Sequence, residues 1–136
     1  MNEAANEMAP TEQEVFDKYY AEEQRKGAVD AITAQIKLTE EQIAMGDAFL
    51  RLEKDKDFIL CIEKGYIQDV RDRIVKTLGR SLEEKVRNDL HMLLDGVGSF
   101  QTHLEGIMQL HGNAKTTLPQ LKDELSGLSG SVEDDE

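Results

Sequence analysis

The chain has 136 residues, of which 39% are hydrophobic and 32% charged, with two prolines, no tryptophan and a net charge of −12. That supply fits one modest, helix-favouring domain, and its sign repels phosphates and anionic lipid, so direct nucleic-acid and membrane-surface binding are disfavoured. The lone Cys61 excludes a disulfide framework within the chain, and no apolar run approaches the roughly 18 residues of a membrane span.

Residues 1–10 are small and polar, end at Pro10, and read as a flexible leader. They lack the basic start and apolar centre of a secretory signal, so a cytoplasmic location is expected. Thr11 is a good helix N-cap, and Glu12 and Glu14 suit the first turn beside the helix dipole. From there to Glu53 nothing stops a helix. Gly27 and Gly46 weaken it by about 1 kcal/mol each relative to alanine. Its stripe begins weakly at Val15, Tyr19 and Glu22. It then follows a heptad rule at Val29, Ile32, Ile36, Ile43 and Leu50, with Thr39 and Gly46 in the second set of positions.

Lys54–Asp57 reads as a charged turn, with Asp57 capping a short helix from Phe58. Phe58-Ile59-Leu60-Cys61-Ile62 is the densest apolar run and is expected to be buried, Cys61 with it as a small hydrophobe. It reads as helix because no other segment offers a partner strand. Gly65 is expected to end that helix, and Tyr66, Ile67, Val70, Ile74, Val75 and Leu78 to form a second one closed by Gly79, so that 57–79 holds two short helices.

Ser81-Leu82-Glu83-Glu84 has the pattern of a capping box at the head of the last helix, 81–125. Val86, Leu90, Leu93, Val97, Phe100, Leu104, Ile107, His111, Ala114, Leu118, Leu121, Leu125 and Leu128 step by four and three without a slip, and all but His111 are apolar. A helix through 81–128 would run about 70 Å at roughly 1.5 Å per residue and cannot bury its own stripe. Pro119 removes a hydrogen bond and crowds the preceding turn, so a kink near it is expected. The phase of the stripe survives it, so the helix should continue or restart on the same face. Residues 126–136 read as a flexible acidic tail.

The fold class that follows is all-α: two long antiparallel amphipathic helices, 11–53 and 81–125, joined by a short two-helix tip, coiled-coil-like, in a single domain spanning 11–125. Glu3, Glu7 and the four acids of 133–136 carry half of the net charge, and neither tail holds a Lys or Arg. A two-helix shaft of this length is marginal alone, so further helices from copies of the chain or from a protein partner are expected. The helix–helix or partner contacts are assigned to Leu90, Leu93, Val97, Phe100, Leu104 and Ile107.

Constellations for chemistry are thin. His91, His103 and His111 share the last helix without the His-x-x-x-His spacing of a helical zinc site. His111 sits on the stripe, where a polar side chain sets register or packs half-buried. Gly96-Val97-Gly98 is a Gly-x-Gly inside a helical pattern, not after a strand. With Gly106 and Gly112 it reads as close helix approach or bending rather than as a nucleotide loop. The carboxylates pair at helical spacing, Glu22 with Lys26 and Asp69 with Arg73. No catalytic residue, metal or cofactor is expected.

Asp57-Phe58 leading to Gly65-Tyr66, then Val70-Arg71-Asp72-Arg73-Ile74-Val75, then a long helix with Leu93, Phe100 and Gly112 resembles, over 57–125, small uncharacterised helical proteins of tailed bacteriophages, often encoded among particle-assembly genes. The resemblance brings no catalytic residues. It implies a role in assembly, in the particle, or against a host system. The leading expectation is a non-enzymatic, self-associating structural or assembly accessory. The alternatives are an acidic inhibitor that occupies a basic groove on a host protein, resting on the charge and the 133–136 end, and a helical-bundle enzyme or metal protein.

Overall fold

The computed structural model describes residues 9–133. The expected leader, apart from Ala9 and Pro10, lies outside them, as do the last three acids of the expected tail. Secondary structure among the described residues is all helical: α1 (Glu12–Glu53), α2 (Lys56–Phe58), a π-helix (Ile59–Gln68), α3 (Asp69–Leu78) and α4 (Glu84–Glu133). The all-α fold with two long helices is as expected.

Each helix end has a local cause. At the start of α1, Thr11 and Glu14 bond reciprocally. The Glu14 N–H donates to Thr11 Oγ1 and the Thr11 N–H to Glu14 Oε2, both at 3.2 Å, which is a full capping box. Between α1 and α2 the cap is Asp55, not Asp57. Its Oδ1 accepts from the N–H groups of Asp57 at 2.8 Å and Phe58 at 3.1 Å, so the helix starts two residues earlier than expected. At the head of α4 the first helical bond runs from the Arg87 N–H to the Glu83 carbonyl, which places the cap at Glu83 rather than Ser81. The Arg87 guanidinium reaches back to the carbonyls of Leu78 and Arg80 and ties the end of α3 to the first turn of α4.

Two expectations about continuity are corrected. Gly65 does not divide 57–79 into two helices, because the backbone is helical from Lys56 through Leu78. Its middle is wound as a π-helix, in which an N–H bonds five residues back, as Asp69 does to the Lys64 carbonyl. The glycine fits that winding, since a Cβ at Gly65 would stand 3.0 Å from the Leu60 carbonyl oxygen, tighter than ordinary contact. The Lys64–Asp69 ion pair (3.2 Å) spans the same five-residue step, so Asp69 pairs with Lys64 and not with Arg73. Residues 126–133, expected as a loose tail, continue α4, and Leu128 is half-buried. The helix also runs through Pro119 without a break in its assignment.

The chain divides into two compact units, Glu40–Thr116 and Met1–Thr39 with Thr117–Glu136, so each long helix contributes to both. In the 40–116 unit the last part of α1 and the first part of α4 pair antiparallel. His111 lies against Gly46 and Asp47, while Phe49 and Glu53 share a groove with Leu104, Glu105 and Met108. Ile67 and Ile74 supply the buried face of the connecting helical segment. In the other unit the first part of α1 and the last part of α4 come together, with Thr39 and Leu121 buried and Val29, Ile32, Ile36, Leu118 and Leu125 half-buried. The Thr39 hydroxyl donates to the Gln35 carbonyl at 2.7 Å, so this polar core position is satisfied within its own helix.

Candidate protein-docking surfaces

The seam of the 40–116 unit sets what can face a partner. Val97 is its best-covered side chain, 2% exposed. Phe100 packs edge-on against Tyr66 with ring centroids 5.6 Å apart, and Phe49 against Phe58 at 6.2 Å. His111 is buried, and its Nε2–H donates to Asp47 Oδ1 at 2.8 Å. That hydrogen bond holds the Asp47 carboxyl below its ordinary value of 3.8. The charges of His111, Lys115 and Arg51 pull the same way, against the opposing pull of desolvation. The ring reaches this place because position 46 is glycine: a Cβ there would overlap His111 ring atoms. His111 thus fixes which residues of α1 and α4 stand opposite one another, the register role its place on the stripe suggests.

The assigned helix-contact residues separate. Val97 is buried, and Leu90, Phe100, Leu104 and Ile107 are half-buried on the seam side. Leu93 is not in the seam. It is 60% exposed and Leu94 takes the inward position. A straight helix drifts by about 20° per heptad against a strict seven-residue repeat, so the inward face moves on by one residue towards the start of α4. Val86, 42% exposed, is left partly outside for the same reason.

The tip departs further from expectation. Ile59, Leu60 and Cys61 are exposed, so the densest apolar run in the chain is not the core of the tip. A helix bonded five residues back turns through a smaller angle per residue than an α-helix. The inward face therefore passes from Phe58 to Ile62 and leaves the three between them outside. The glycines of α4 also lose one proposed role. A Cβ added at Gly96, Gly98, Gly106 or Gly112 would meet nothing within 4 Å, so none of them serves close approach inside the chain.

Beside the seam lies an open groove of about 450 Å³. Phe49, Ile67, Leu104 and Met108 give it an apolar lining, and Glu53, Glu63 and Glu105 stand around it. In the other unit every residue from Thr11 to Gln24 is exposed, and Val15, Phe16, Tyr19 and Tyr20 are each more than half open. The weak start of the α1 stripe is therefore uncovered by the described residues.

No group of three or more His, Cys, Asp or Glu side chains that could hold a metal ion occurs among the described residues. No helix among them is long and apolar enough to cross a membrane. No protein-family model, no curated protein and no solved structure matches the chain.

Proposed function

We propose that this chain is a non-enzymatic, protein-binding helical protein that self-associates and serves as a structural or assembly accessory of a larger particle, such as that of a tailed bacteriophage. The observation that carries the reading is the balance of covered and uncovered apolar side chains. Five hydrophobic residues are buried among those described, against fourteen large ones left exposed. The exposed set includes runs at Val15–Tyr20 and Ile59–Leu60, and Met92 with Leu93, rather than only scattered single residues.

Such a side chain, already about half covered, still gains roughly 1 kcal/mol on full burial. A handful buried together therefore reaches the lower part of the about 4–15 kcal/mol that association costs. The test is light scattering coupled to size exclusion over a range of concentrations. A mass well above 15.3 kDa is expected, falling on dilution. A 15.3 kDa species at every concentration overturns the reading. Leu93→Asp, at an exposed position, should weaken association without unfolding the chain. Phe100→Asp should unfold it, because Phe100 packs on Tyr66.

A further inference from the structure

The uncovered start of α1 carries an order of charges as well as an apolar side. Glu12, Val15, Phe16 and Tyr19 line one open hollow, so they share one side of the helix, and Lys18 and Glu22 border it in a second hollow with Val15 and Tyr19. Tyr20 meets Tyr19 edge-on, with ring centroids 6.3 Å apart. The far side is polar, the Gln13 amide donating to Asp17 at 2.9 Å. Glu12 stands seven residues before Tyr19 and Lys26 seven after it. Seven residues fall only about 20° short of two turns, so both charges lie nearly in line with Tyr19 on the apolar side. From Thr11 to Asp17 the charged residues are Glu12, Glu14 and Asp17, all acidic, and the bases Lys18, Arg25 and Lys26 follow. The side chains of Glu12, Lys18, Glu22 and Lys26 are exposed and make no hydrogen bond or ion pair among the described residues, so the Glu22–Lys26 pair expected from spacing is not formed.

We infer that this end of α1 pairs antiparallel with the same end of a second copy of the chain, around a two-fold axis at Tyr19. The inference rests on the self-association proposed above and names one surface that forms it, separate from Met92 and Leu93 on α4. With the axis there, Tyr19 of each copy packs on the partner's Phe16, Tyr19 and Tyr20. Glu12 stands opposite the partner's Lys26, and Lys18 comes beside the partner's Glu22. The charge order selects a second copy in this direction, because it is complementary to itself only when reversed. Parallel copies would set Glu12 against Glu12 and Lys26 against Lys26, whereas the antiparallel pair makes the Glu12–Lys26 contact twice, as an isologous interface requires. Opposite charges face to face also offset locally the repulsion between two chains of net charge −12.

The register makes the test specific. Glu12→Lys or Lys26→Glu alone sets like charges opposite one another at two places and should weaken self-association about tenfold. The double variant restores opposite charges and should recover the parent's strength. Circular dichroism checks helical content, and the recovery is no repair of the first turn of α1, which Lys26→Glu does not touch. Tyr19→Asp, at an exposed position, should weaken association further than either single reversal. Direction is read by cross-linking, with Cys61→Ser removing the exposed native thiol. An equimolar mixture of Glu12→Cys and Lys26→Cys chains should form disulfide-linked pairs under diamide faster than either chain alone. Folded single reversals and Tyr19→Asp that associate as strongly as the parent overturn the inference with self-association standing, and assign the patch to a foreign helix or to residues 1–8. A double variant no stronger than the single ones overturns it too. Glu12→Cys chains that link to themselves faster than the mixture does overturn it in favour of a parallel pair. A parent that stays monomeric overturns this inference and the proposed function together.

Discussion

Replacing Gly46 by alanine inverts the usual effect of filling a helical glycine. In an open helix the change gains up to about 1 kcal/mol, partly by restricting the unfolded chain. At Gly46 the new Cβ would overlap the Cβ and ring of His111, a buried side chain held by Asp47 at 2.8 Å. Neither helix can yield without opening the seam, and overpacking of this kind costs about 1–3 kcal/mol. The net expectation for Gly46→Ala is a loss of about 0–2 kcal/mol. Gly98→Ala on α4, where the added Cβ meets nothing within 4 Å, should gain up to about 1 kcal/mol. The two variants are compared by urea unfolding followed at 222 nm, at one protein concentration, because any self-association adds to apparent stability. His111→Ala should cost less in the Gly46→Ala background than in the parent, since it removes the obstruction. If Gly46→Ala stabilises as much as Gly98→Ala, the packing of His111 on Gly46 is refuted.

Other expectations concern caps, protons and the proline. Asp55→Ala should cost about 1 kcal/mol by leaving the Asp57 and Phe58 N–H groups without their acceptor, while Asp57→Ala should cost far less; unfolding midpoints decide between them. The Asp47 carboxyl titrates below its ordinary value in the folded chain, so its contribution to stability is fully present above 3.8 and is lost as pH falls through the lowered folded value. Asp47→Asn should therefore flatten part of the acid limb of a stability–pH curve, and an unchanged limb would show that the bond to His111 is not formed. Pro119→Ala should raise the thermal midpoint, since it restores a backbone donor inside α4 at a site where proline costs up to about 3 kcal/mol. A lowered midpoint would mean that the proline is needed where it stands.

The strongest local signals in the sequence carry through. The Thr11 cap, the half-buried Ile32, Ile36, Ile43 and Leu50, and the buried Val97, His111, Ala114 and Leu121 follow from spacing and side-chain type, because helix periodicity and capping depend on neighbours within a turn or two. The candidate surfaces were less legible. The sequence located an excess of apolar stripe and placed Leu93 among the helix or partner contacts without telling which; it is exposed. The sequence pattern also assigned Ile59–Cys61 to the core, where they are outside.

What the chain determined by itself is its all-helical class, its two long helices and the register position of His111. Tertiary structure decided how the middle segment is wound and which way each apolar side chain points. It also decided that Glu53, Glu63 and Glu105, distant in sequence, surround one groove. The physical reason is that an α-helical reading assumes one angular step per residue throughout. A π-wound stretch and the drift of a straight helix change the direction of a side chain without changing any residue, and only packing against a neighbouring helix selects among those directions.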